Sequence, residues 1–257
     1  MKTTRLRPWV IISIMIIFLI GIIYYSYKIL IWFNHINENK KVLEKIEENI
    51  KITIDNNDSI FNIDFNALKN INPDTIAYIR VNNTNINYIV VKGNNNSYYL
   101  NHNFEKKWNV AGWVFSDYRN KYDESDKNLI IYGHNTKDGS MFDTLINVLN
   151  KEWYENKENH IVTLVTENNT YKYQVFSTYS IIPEDYYITT NFNGINFSKF
   201  INTLKDRSIY NYNVDVDESD KILTLSSCTA NGTKRVVLHA KKIDNNELYS
   251  NIVLENN

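Results

Sequence analysis

Hydrophobic positions along the 257-residue chain fall into three successive patterns. From Trp9 to Phe33 they run almost unbroken (WVIISIMIIFLIGIIYYSYKILIWF), with Lys28 the one charge. At about 1.5 Å per residue these positions reach about 37 Å as a helix, enough to cross a hydrocarbon core of about 30 Å at a tilt. Trp9, Tyr24, Tyr25, Tyr27 and Trp32 lie towards the two ends, where aromatic rings prefer the membrane interface. A cleaved signal peptide would need small residues after the apolar run, and bulky YYSYK follows instead, so an uncleaved anchor is expected. Lys2, Arg5 and Arg7 precede the run without an acidic residue, whereas Glu38, Glu44, Glu47 and Glu48 offset Lys40, Lys41 and Lys45 after it. The positive-inside rule then keeps the N-terminus in the cytoplasm and exports the rest of the chain, a single-pass arrangement.

The second pattern is helical. Ile36, Val42, Leu43, Ile46 and Ile50 recur amid charge in residues 34–50, which predicts an amphipathic stem helix, and polar, Asn- and Asp-rich residues 51–60 predict a loop. From about Thr75 the period becomes two. Strands are predicted at 77–81, 87–92, 111–116, 128–132, 161–166, 171–178, 222–226 and 235–241, with short helices at 140–148, 153–159 and 198–207. Eight strands with few helices argue for a mainly β fold, a closed or nearly closed antiparallel barrel that leaves no free sheet edge. The expected organisation is a cytoplasmic segment 1–8, a transmembrane anchor 9–33, a helical stem 34–69 and one exported barrel domain 70–257.

Composition narrows the function classes. The chain is 43% hydrophobic and 22% charged, the range of a folding protein. Lys and Arg number 28 against 29 Asp and Glu, which argues against a general nucleic-acid binder. One Cys excludes a disulfide scaffold and any multi-cysteine metal site.

That Cys, Cys228, ends the segment ILTLSSC, in which Leu223 and Leu225 share one strand parity and Ile222, Thr224, Ser226 and Cys228 the other. If the leucines fill the core, Cys228 belongs to the opposite face, just past the strand end. An isolated Cys is most often a small buried hydrophobe, and a reactive one needs a partner, since a free thiol is only slightly ionised at neutral pH. Among His35, His102, His134, His160 and His239, His134 closes the apolar strand NLIIYGHN, and His239 reads equally well as a satisfied sheet histidine. Arg235 opens RVVLHAK seven residues after Cys228. A hairpin through TANGTK would return its guanidinium towards the thiol, where it favours thiolate or steadies an oxyanion, though a strand-edge Arg is also commonly a surface charge.

These residues, in this order, resemble the class B sortases, membrane-anchored cysteine transpeptidases of Gram-positive bacteria. The likeness rests on the anchor, INYIVVKGNNNSYYLNHNF at 86–104, AGWVFSDYRN at 111–120, YGHNTKDGSMF at 132–142, and TLSSC followed by Arg235-Val236-Val237, and covers roughly residues 70–242. It implies an eight-stranded barrel with N-terminal helices and a helix before the last hairpin. It makes Cys228 the nucleophile, His134 the proton-transfer partner and Arg235 the substrate-positioning and oxyanion-supporting residue, with Asn96, Leu100, Tyr187, Ile188 and Ser226 along the peptide groove. The implied reaction cleaves an NPxTx-like C-terminal sorting signal after Thr through a thioester. It then transfers the surface protein to a peptidoglycan amine, on a cross-bridge or stem peptide, with no cofactor and no metal. Three departures accompany the match: Ser227 for the usual Thr before the nucleophile, Ile89 for a frequent Pro, and Trp113 for a frequent small residue.

Other readings remain at this point. A papain-like protease places its Cys before its His, the reverse of the order here, and an L,D-transpeptidase shows an SHGC-type segment that this chain lacks. A non-catalytic, membrane-tethered adhesion or scaffold domain would have no need for His134, Cys228 and Arg235 together. The acidic run DVDESD at 215–220 has Asp220 and Ser226 where a calcium loop needs Gly and Glu, and reads as a solvated turn.

Overall fold

A computed structural model describes residues 7–55, 58–136, 138–228 and 232–243. The first element, α1 (Pro8–Glu47), is one helix. Pro at its start is preorganised for the first turn, and no Pro or Gly interrupts residues 22–47, so the apolar run and the amphipathic stem form one continuous rod. Its last turns dock on the domain through Asn39, Val42 and Ile46, all buried. The Asn39 amide donates to the carbonyl of Gly112 at 3.1 Å. That of Asn109 donates to the carbonyl of His35 at 2.8 Å.

The segment expected to be a loop is instead a hairpin, β1 (Ile50–Asp55) and β2 (Asp58–Ile63), with Ile50 opposite Ile63 and Asp55 opposite Asp58. Ile50, Ile52 and Ile54 alternate with Lys51, Thr53 and Asp55, and that period of two outweighs the polar composition. Helix α2 (Phe65–Ile71) follows, capped by the Asp64 carboxylate on the amide of Ala67.

The barrel comprises β3 (Thr75–Val81), β4 (Asn87–Val91), β5 (Phe115–Ser116), β6 (Asn128–Gly133), β7 (Ile161–Thr166), β8 (Thr170–Ile181), β9 (Ile222–Cys228) and β10 (Arg235–Ile243). It closes in the order β10-β8-β7-β3-β4-β5-β6-β9. The barrel is closed, as expected, but mixed rather than antiparallel: β4 runs parallel to β5, and β6 parallel to β9. Long crossovers make this possible. The chain leaves the sheet between Val91 and Phe115, and between Gly133 and Ile222 it completes β7, β8 and a helix before re-entering beside β6.

Strand 5 is shorter than its apolar run. Gly112 turns the backbone at φ +57°, and a β-carbon there would meet the carbonyl oxygen of Tyr99 at 2.4 Å, so only glycine fits. The short helix expected at 140–148 is a 3₁₀ stretch over Asp143–Leu149. The expected helix at 153–159 splits into α3 (Lys151–Glu155) and a 3₁₀ turn at Lys157–His160. The Trp113 indole, fully buried, donates to the backbone carbonyl of Ile89 at 2.8 Å.

Both faces of the last hairpin are covered. Leu223, Leu225, Val236 and Leu238 fill the barrel interior. Ile222 and Val237 pack outside it beneath α4 (Phe197–Arg207), which presents Phe197, Phe200, Ile201 and Leu204 at helical spacing. The Asn196 amide oxygen caps α4 on the amide of Lys199 at 2.8 Å. The predicted parity of ILTLSSC therefore holds, with the face opposite the leucines enclosed by this second layer.

Candidate active site

Three strand ends meet at one rim of the barrel. In the parallel register of β6 and β9, Gly133 is the partner of Ser227, so the next step along both strands brings His134 beside Cys228. In the β9–β10 hairpin Cys228 is the partner of Arg235. His134, Cys228 and Arg235 thus occupy neighbouring strands, about 5 Å apart per step. Of Cys228 the backbone alone is described, and residues 229–231 of the TANGTK turn lie outside the described residues.

His134 is held from several sides. A β-carbon on Gly133 would fall 2.4 Å from the ring of Phe142, so glycine lets that ring press against the strand end. The amide of Phe142 donates to the carbonyl of His134 at 2.9 Å, and Asn135 bridges to Met141. The imidazole Nε2 lies 2.7 Å from the carbonyl oxygen of Leu100. A carbonyl only accepts, so Nε2 carries a proton and Nδ1 is left for exchange.

The other described histidines have structural surroundings. His239 is fully buried between the Tyr179 hydroxyl at 2.9 Å and Thr224 at 2.8 Å. Burial, with Arg207 adding to it, pushes its pKa down to about 3. His160 packs among Trp153, Tyr154 and Tyr212, His102 stacks on Tyr98, and His35 meets Trp108 edge-on in the stem.

The five residues expected along the peptide groove have these surroundings. Leu100, 43% exposed, touches His134 through its carbonyl. The hydroxyls of Tyr187 and Ser226 lie 3.0 Å apart, both residues buried. Asn96 donates to Asp117 at 2.8 Å and accepts from the amide of Tyr118 at 3.0 Å, while the carbonyl of Ile188 accepts from Arg119 at 2.9 Å.

Asp117, Arg119 and Tyr132 were not singled out by the sequence, yet they link these residues. The Asp117 carboxylate is buried and receives Arg119 Nη2 at 2.6 Å, Arg119 Nε at 2.8 Å, the Tyr132 hydroxyl at 2.8 Å and the Asn96 amide. Burial alone would raise its pKa, but the guanidinium, the Arg119 amide and the other donors together hold it below the usual carboxylate range. The available signal was the spacing: Tyr132 precedes His134 by two and so shares its strand parity.

Next to His134 lies a hollow of about 360 Å³ lined by Trp32, Val110, Ala111, His134, Asn135 and Thr136. Trp32 comes from α1.

The sequence of residues 79–243 matches the family model described as Sortase domain. Sortase B of Staphylococcus aureus is 32% identical over 234 residues, 90% of this chain and 95% of that one. Sortase B of Listeria monocytogenes is 36% identical over 162 residues, 63% of this chain and 65% of that one. The chain belongs to the class B sortases. The crystal structure of sortase B from B. anthracis in complex with AAEK1 superposes with a TM-score of 0.70 at 32% identity, covering 82% of this chain and 99% of that chain. This sortase is accordingly a transpeptidase, and its class joins surface proteins bearing sorting signals to peptidoglycan amines.

Proposed function

We propose that this sortase cuts an NPxTx-like sorting signal after Thr with Cys228 and passes the surface protein to an amine of peptidoglycan. The observation that supports this reading is the strand register setting His134, Cys228 and Arg235 side by side at one rim. In the first step the Cys228 sulfur, as thiolate, bonds to the Thr carbonyl carbon. The Thr–X amide bond breaks, and His134 in its protonated form gives the departing nitrogen a proton. In the second, the acceptor nitrogen bonds to the thioester carbonyl, the C–S bond breaks and sulfur leaves as thiolate, while the nitrogen's surplus proton returns to His134. Arg235 offers its guanidinium to the carbonyl oxygen as charge builds there. Asn96, Leu100, Tyr187, Ile188 and Ser226 line the approach of the sorting peptide, the first and fourth steadied by Asp117 and Arg119.

The N-terminal, apolar part of α1 anchors the enzyme. Its apolar residues from Trp9 to Phe33 are largely exposed, the surface that lipid covers, and charge balance places residues 1–8 in the cytoplasm and the catalytic domain, 70–257, outside, with 34–69 as stem. Full-length enzyme in lipid nanodiscs, given a panel of quenched sorting peptides, tests the proposal. Cleavage after Thr with a thioester mass on Cys228, abolished by Cys228→Ala and by His134→Ala, is expected. Metal-dependent cleavage surviving both substitutions would refute it.

A further inference from the structure

Contacts between the stem and the domain descend in order along α1 towards its apolar run. Lys45 pairs with Glu105 at 3.1 Å, Asn39 is tied to Gly112, and His35 to Asn109. Within residues 105–112 the turn at 108–110 is therefore the part that reaches furthest towards the anchor. Trp32, one residue before the end of the apolar run, lines the same hollow as Val110 and Ala111.

This turn carries apolar surface that the domain does not cover. Trp108 is 55% exposed and Val110 37%, and His35 packs edge-on against the indole at 4.9 Å between ring centroids. Single exposed apolar side chains are ordinary, but these two adjoin the end of the anchor.

The turn is also stiff. The amide of Asn109 donates to the carbonyl of Asn101 and that of Asn103 to the carbonyl of Lys107, both at 2.8 Å, and Trp108 bridges to His102. The Asn109 side chain is buried, its oxygen accepting from the amide of Ala111 at 3.0 Å while its nitrogen holds His35. Little order has to be imposed on Trp108 when it meets a partner.

Height decides what that partner is. At about 1.5 Å per residue, His35 lies about 3–5 Å beyond Phe33 and Trp32 along the helix axis. A bilayer about 40–45 Å thick around a hydrocarbon core of about 30 Å leaves a headgroup layer of about 5–8 Å on each side. A ring packed on His35 falls within that layer, where Trp is favoured because indole combines apolar area with an N–H donor. Charge is not the attraction here, since Lys106 is paired with Asp74 and Lys107 with Glu105, each at 2.8 Å.

We propose that Trp108 and Val110 form a second membrane contact, bedded among phospholipid headgroups beside the anchor. The contact keeps the rim bearing His134 at the bilayer surface, because Val110 and Ala111 share a hollow with His134. The inference rests on α1 crossing the membrane, as proposed above.

Full-length enzyme, one copy per phosphatidylcholine nanodisc, provides the test when part of the lipid carries a nitroxide on its headgroup. Subtracting the fluorescence of Trp108→Phe from that of wild type isolates Trp108, and Trp32→Phe isolates Trp32 in the same way. The nitroxide is expected to remove about half of each component, as for rings lying at the interface. Quenching of Trp32 with Trp108 unaffected overturns the contact and leaves the patch to a protein partner or a second copy. Quenching of neither strikes instead at the anchor reading.

Discussion

The Nε2 of His134 donates to the carbonyl oxygen of Leu100 across 2.7 Å. This fixes the ring's orientation and, because the partner can only accept, its tautomer. In the mechanism proposed above, Nδ1 is the nitrogen that trades protons with thiol and amine. Nitrogen-15 NMR of histidine-labelled enzyme at alkaline pH is expected to show Nε2 of His134 protonated and Nδ1 bare. The reverse assignment would mean that the Leu100 carbonyl does not govern the ring.

Arg235 stands as the register partner of Cys228, and a guanidinium brings several donors in a fixed plane where an ammonium brings one point of charge. Arg235→Lys keeps the charge and loses the fork. We expect kcat for sorting-peptide cleavage to fall about a hundredfold, the usual scale for removing an oxyanion donor, with the peptide's KM changing little. Stopped-flow and steady-state assays separate the two, and a loss confined to KM would assign Arg235 to ground-state binding alone.

Much of this architecture can be read from the residues themselves, and the exceptions have physical causes. The parity of ILTLSSC predicts which side of β9 meets the core because Leu223 and Leu225 alternate with polar positions. The strand NLIIYG predicts His134 at its end. Parallel pairing of β6 with β9 leaves no local trace, since it depends on how the intervening 88 residues return to the sheet. The β1–β2 hairpin carries its alternation in three isoleucines diluted by Asn and Asp. Asp117 sits between Ser116 and Tyr118 with no periodic pattern, and its importance appears only when Asn96 and Tyr132 arrive from two other stretches of chain to join its neighbour Arg119.

That convergence makes Asp117 the shared acceptor of Asn96, Arg119 and Tyr132. Asp117→Ala leaves the partly buried Tyr132 hydroxyl and the Asn96 amide without their acceptor, and Arg119, partly exposed, recovers some hydration. The expected cost is about 2–3 kcal/mol, below the figure for a wholly buried pair. The sorting-peptide KM should rise as well, because Asn96 loses one of its two bonds and Arg119, which holds the Ile188 carbonyl, loses its partner. Urea unfolding and peptide kinetics measure the two effects, and an unaltered KM in a destabilised but folded variant would confine Asp117 to stability.

His239 offers a pH-dependent counterpart. The Thr224 hydroxyl donates its hydrogen to Asn128 at 2.7 Å, so it accepts from His239 Nδ1, and the Tyr179 hydroxyl donates to Nε2. Both ring nitrogens are thereby satisfied in the neutral form. Burial, reinforced by the nearby Arg207 charge, lowers the folded pKa to about 3, whereas an unfolded histidine titrates near about 6.5. Between those values the unfolded chain binds the extra proton, so the stabilisation is complete above about pH 6.5 and is lost progressively as the pH falls towards about 3. From this residue alone the unfolding free energy changes by up to about 1.4 kcal/mol per pH unit in that window. Urea melts of the wild type and of His239→Gln, taken at intervals from pH 7 to pH 4, isolate it. The variant should show a shallower dependence by close to one proton, and parallel curves would mean that His239 is not neutral in the folded barrel.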